Sequence, residues 1–154
     1  MGKFNGKISA EFTPPKTWVL EKLLSFKTGE LSPSDIEVLM EIGANVDNNG
    51  RIICNRGMKT DLASVPRIAW AVIAPWDVAR AAVIHDHLYS KLRKYYHSRG
   101  MSKPTWRKGR ALSDKVFLLG MKSADPKVSK FKMYSAYWSV RMFGRWPASA
   151  NEEE

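Results

Sequence analysis

A single cysteine, Cys54, stands in the chain. One thiol excludes an internal disulfide framework and a cysteine-rich zinc site. It suits a reducing cytoplasm, or a particle assembled there. Long apolar runs are missing as well. The longest nearly apolar stretch, 68–76, is interrupted by Pro75 and falls far short of the roughly 20 residues that span a bilayer. No apolar stretch follows Met1-Gly2-Lys3, so neither a signal peptide nor a transmembrane segment is expected. Internal repeats and low-complexity tracts are absent. Histidine is scarce, and His85 and His87 lie on different sides of a helix, which argues against a two-histidine zinc site. Acid is in deficit, with 15 Asp and Glu against 25 Lys and Arg, a net charge of +10. Nucleic acid, a lipid head group or an acidic protein surface would suit that balance. The basic residues are scattered, so plain solubility accounts for it equally well.

What is present is enough for a globular core, since 44% of the 154 residues are hydrophobic. The pattern predicts an α+β fold: a small N-terminal antiparallel sheet with a C-terminal helical half that contains an antiparallel helix pair. One domain is expected over 1–150, mainly strand and loop over 1–60 and mainly helical over 66–145, with an acidic tail at 151–154. Alternation over 6–12 reads as a strand. The stretch 18–26 suits a strand or a short helix. Ser32-Pro33-Ser34-Asp35 reads as a turn or a helix start, and Asn48-Asn49-Gly50 as a hairpin turn before the short strand 51–54. Pro66 suits a first helical position, with Ser64 as its cap. Further helices are expected from near Asp77, over about 106–123, and up to Gly144. The aromatics of the last one fall at helical spacing, which assigns most of them to the core.

Two of these helices each carry a polar residue on the apolar face. His85 shares its face with Val78, Ala81, Leu88 and Leu92; Asp114 shares its own with Ala111, Leu118 and Met121. A buried carboxylate needs a partner, and a buried imidazole needs one to set its tautomer. A His85–Asp114 hydrogen bond between antiparallel helices satisfies both, and Tyr89, one turn after His85, can donate to the same carboxylate. Just upstream, Thr60, Asp61 and Ser64 place three oxygen-bearing side chains within five positions. Such a segment can coordinate a hard cation or merely cap a helix. A serine triad can be written from Ser64, His85 and Asp114, but no Gly-x-Ser-x-Gly elbow surrounds Ser64. Asp86 either binds a cation or pairs with Arg67 or Arg80. Lys127, Lys130, Lys132, Arg141 and Arg145 among the late aromatics leave single-strand binding open.

The run Lys59-Thr60-Asp61-Leu62-Ala63-Ser64-Val65-Pro66-Arg67, then Pro75-Trp76, then Arg80-Ala81-Ala82-Val83-Ile84-His85-Asp86-His87-Leu88-Tyr89, then Ser113-Asp114-Lys115-Val116-Phe117 resembles a phage and prophage domain-of-unknown-function family, number 1353. The resemblance implies an accessory or virion protein, made in the host cytoplasm and partnered by other phage structural proteins. A shorter pattern, His85-Asp86-x-x-Tyr89 with Ser113-Asp114-x-x-Phe117, resembles secreted and parvoviral phospholipases A2. That likeness implies that His85 activates water, that Asp114 and Tyr89 orient it, and that Asp86 holds calcium, ahead of zinc. With no glycine-rich calcium loop upstream, Asp61 and the stretch from Thr60 to Ser64 would complete the cation site. The resulting expectation is a virion- or tail-associated accessory protein with a water-activating, metal-assisted His–Asp site directed at a membrane or cell-wall substrate. Thr60, Ser64 and Arg67 are its binding residues. The alternatives are a purely structural or assembly component, and a nucleic-acid-binding phage protein.

Overall fold

The computed structural model describes residues 2–8, 10–13, 17–61, 64–66, 75–124 and 127–150. Among the described residues six short strands come first: β1 Lys3–Phe4, β2 Ala10–Thr13, β3 Thr17–Leu20, β4 Leu24–Lys27, β5 Ile52–Cys54 and β6 Lys59–Thr60. They form two antiparallel three-stranded sheets, ordered β1-β4-β5 and β2-β3-β6. The ambiguous stretch 18–26 resolves into two strands. In the first sheet Phe4 faces Phe26, and Phe26 in turn faces Ile52. Leu24, Phe26, Ile52 and Cys54 are buried, so this sheet supplies one wall of the core.

Between β4 and β5 lies α1, Pro33–Glu41. Ser32-Pro33-Ser34-Asp35 is therefore a helix start. The Ser32 hydroxyl accepts from the Asp35 amide while the Asp35 carboxylate accepts from the Ser32 amide, a reciprocal capping box with proline in the first turn. The apolar Val38, Leu39 and Met40, ahead of Asn48-Asn49-Gly50, belong to this helix. The turn itself is there: the Gly50 amide donates to the Asp47 carbonyl, and Val46 bridges Ile52.

The C-terminal half holds α2 Pro75–Tyr96, α3 Lys103–Lys122, α4 Lys130–Phe143 and α5 Arg145–Ser149. The helix expected from Pro66 runs into 67–74, outside the described residues. α2 and α3 are the antiparallel pair. Gly120 lies against Ala81 at one end and Gly109 against Leu92 at the other. A Cβ on Gly120 would sit 2.9 Å from that of Ala81, so glycine is what allows the helices to approach this closely. α2 also touches β4, β5, β6 and α5, while α4 packs on α3. As a result residues 81–89 are all buried. An amphipathic reading assigns α2 one apolar stripe; here its middle is enclosed on all sides.

The aromatics of α4 depart from expectation. Its buried face is made of Met133, Ala136, Ser139 and Val140. Phe131, Trp138 and Met142 are 75%, 58% and 67% exposed, and Trp146 in α5 is 67% exposed. Helical spacing identifies faces but not which face is covered. The smaller residues are the ones that fit closely against α3.

Candidate functional site

Three polar residues follow one another on α2, and because the helix is enclosed, each points to a different neighbour. His85 faces α3, Asp86 faces β6, and His87 faces the segment after α1.

His85 is fully buried, and its ring lies 4.1 Å from that of Tyr89 and 4.9 Å from that of Phe117. Its Nε2 is 2.8 Å from Asp114 Oδ1, and its Nδ1 is 3.0 Å from Ser64 Oγ. The Tyr89 hydroxyl donates to the same Asp114 Oδ1 at 2.7 Å. The other carboxylate oxygen, Oδ2, accepts from Arg141 Nη1 at 2.8 Å and pairs with Arg110 at 3.5 Å. Arg110 is itself tied by donation to the carbonyls of Val140 and Arg141. The helical periodicity anticipates the His85–Asp114–Tyr89 cluster. The two arginines were not anticipated as its members, because Arg141 comes from a helix with no polar signal aimed at α3.

The hydrogen bonds decide the tautomer. A carboxylate only accepts, so His85 Nε2 carries the proton that points at Asp114. In the neutral ring Nδ1 is then the acceptor, and the Ser64 hydroxyl donates to it. Burial and the adjacent Asp114 hold the Tyr89 phenol well above its ordinary pKa, so it stays a donor. Gly144 makes room for that phenol: a Cβ there would collide with the Tyr89 hydroxyl.

Asp86 is buried on the other side of α2, where its Oδ2 accepts from the Thr60 hydroxyl at 2.6 Å. The pairing with Arg80 is not observed. Arg80 donates to the Gly6 carbonyl and lies over the Phe4 ring. Arg67 lies outside the described residues. Asp61 is exposed. A hard cation such as calcium takes about six to eight oxygens. Among the described residues no group of three or more His, Cys, Asp or Glu assembles such a donor set. His87 Nε2 accepts from the Asn45 amide at 3.4 Å, and burial, reinforced by Lys91, lowers its pKa to about 4. Burial, with Asp86 adding to it, pushes the Cys54 thiol up to about 12, which makes it a poor nucleophile. His97 bonds the Ser149 carbonyl.

Residues 36–140 match the family described as protein of unknown function, DUF1353. The chain belongs to the DUF1353 family. The DUF1353 match runs from within α1 to within α4, so it contains Thr60, Ser64, His85, Asp86, Tyr89 and Asp114, while Arg141 falls just beyond it. No curated protein and no solved structure matches this DUF1353 chain. No helix among the described residues is long and apolar enough to cross a membrane.

Proposed function

We propose that this chain is a hydrolase-like accessory protein of a phage or prophage particle, in which His85 is the general base for cleavage of an envelope ester or amide. The resemblance of its motifs to a phage and prophage family supports the setting. One observation carries the chemistry: the chain Ser64 Oγ to His85 Nδ1 at 3.0 Å, and His85 Nε2 to Asp114 at 2.8 Å, with Asp114 held by Arg141, Arg110 and Tyr89. This is the order of nucleophile, base and orienting carboxylate that acyl transfer uses, recognised by roles rather than by position in the chain. The oxygen on the basic nitrogen is the Ser64 hydroxyl, in the place where the sequence pattern puts water. On attack the Ser64 proton passes to Nδ1, Asp114 stabilises the imidazolium, and the same proton is returned to the leaving group. No step here runs through a metal.

A second reading is favoured by a specific number. Ser64 is 1% exposed, and His85 and Asp114 are 0% exposed. Catalysis requires the cover over Ser64 to open, whereas a network that only ties α2, α3 and α4 together requires nothing further.

One set of experiments separates the two. The purified protein is treated with a fluorophosphonate that labels activated serines, and separately with phospholipid vesicles and with peptidoglycan, each in calcium, in zinc and in chelator. The proposal expects an adduct and turnover in the native chain. It expects both to be lost in Ser64→Ala and His85→Asn while circular dichroism shows that the chain is still folded. Turnover lost in His85→Asn but kept in Ser64→Ala makes water the nucleophile. No adduct and no turnover in any condition leaves the structural reading standing.

A further inference from the structure

A concavity lies where the end of α2 and the start of α3 meet α4 and α5. It has a volume of about 430 Å³, within the usual range for small-ligand sites. Lys103, Arg107, Arg110, Arg141 and Arg145 line it, and no Asp or Glu does. Two of these cations are held in place. Arg141 is bonded to Asp114, and Arg110 to two backbone carbonyls, so their guanidinium planes are set before any ligand arrives. The other three, Lys103, Arg107 and Arg145, have no ion-pair partner among the described residues. Asp114 pairs with Arg141 and Arg110, and the three remaining positive groups repel one another unless an anion enters. Fixed guanidinium groups suit the paired oxygens of a phosphate in particular.

The surroundings indicate what carries the phosphate. Trp146 stands at the rim, 67% exposed. From there the exposed aromatics Trp138, Tyr134 and Phe131 run back along α4 at helical spacing. Flat, solvent-facing rings that lead into a cationic pocket are what successive bases of a single strand stack on, with its phosphodiesters drawn to the adjacent cations. A lipid head group would use the same cations but offers nothing to stack on the row of exposed rings.

We infer that the pocket between α2, α3, α4 and α5 binds a phosphodiester of single-stranded nucleic acid, with Arg107, Arg145 and the two fixed arginines on the phosphate and Trp146 under a base. The pocket shares Arg110 and Arg141 with the Asp114 network, but nothing in the inference rests on the chemistry proposed for His85. It is tested on the full chain by fluorescence anisotropy with a short fluorescein-labelled oligothymidylate, across a salt series. Arg107→Gln and Arg145→Gln remove exposed side chains that have no protein partner, so folding is preserved. Each should weaken binding by about tenfold and reduce the salt slope by about one. Trp146→Ala should weaken it by about tenfold with the slope unchanged. Lys22→Gln, an exposed cation between β3 and β4, is the equal-charge control and should do neither. Two results overturn the inference: no oligothymidylate binding at low salt, whether or not phosphatidylglycerol vesicles or inorganic phosphate bind; or binding that the pocket variants reduce no more than Lys22→Gln does.

Discussion

Replacing Asp114 by alanine removes one carboxylate and leaves four donors without it. Two of them, His85 Nε2–H and the Tyr89 hydroxyl, belong to residues that are 0% exposed, so water cannot take over. An unsatisfied buried donor costs about 1–3 kcal/mol, so this pair alone amounts to about 2–6 kcal/mol. Arg110 and Arg141 are 14% and 27% exposed, so they can turn partly to water and add less. A domain of this size has about 5–15 kcal/mol in total. Asp114→Ala should therefore remove a large share of the total stability. Asp114→Asn keeps an acceptor for the buried His85 and Tyr89 and sets an amide NH2 against the arginines, which can turn partly to water, so it should cost less. Urea unfolding followed by circular dichroism measures both. A loss below about 1 kcal/mol for Asp114→Ala, at unchanged urea dependence, would refute the view that this carboxylate is the shared, dry acceptor of the network.

Two further outcomes follow from neighbouring groups. Gly144→Ala should destabilise by about 1–3 kcal/mol although its φ of −70° suits any residue, because the new Cβ meets both the Tyr89 hydroxyl and the Val140 carbonyl; adding Tyr89→Phe should recover the part that the hydroxyl causes, and strictly additive costs in the double mutant would refute that contact. His87 titrates near 4 in the fold against an ordinary 6.5, so the unfolded chain binds the extra proton first, and stability falls as pH drops from about 6.5 toward 4, by about 3 kcal/mol at pH 4. His87→Gln, which still offers an oxygen to the Asn45 amide, should flatten that part of the acid limb in a pH series of urea midpoints, and an unchanged slope counts against the assignment.

The polar cluster was legible in the sequence because helical periodicity is a local property. His85, Tyr89 and Asp114 each stand at a position where an apolar residue is expected, and a dry carboxylate and imidazole have few ways to be satisfied other than by each other. The Ser64 contact was harder to read. It joins residues 21 apart in sequence, and a serine ahead of Pro66 is equally explained as a helix cap. Asp86 was read against cations, but its partner is the hydroxyl of Thr60 on a two-residue strand, too short to announce itself by alternation. In α4 the misreading came from residue size. Large aromatics were assigned to the core, while contact with α3 selects small and flexible side chains, and the aromatics remain outside.

Enclosure of α2 also bears on how the chain can change. An ordinary surface helix offers a solvent-facing stripe where substitutions cost little. Between Ala81 and Tyr89 no residue is in that position, since each of the nine is buried against a sheet, a helix or a strand. Drift along this segment therefore has no neutral route: a change at one position has to be matched in whichever neighbour it faces. A saturation library across 81–89 should show intolerance at every position rather than at every third or fourth, and its tolerated variants should come with second-site changes spread over both halves of the fold.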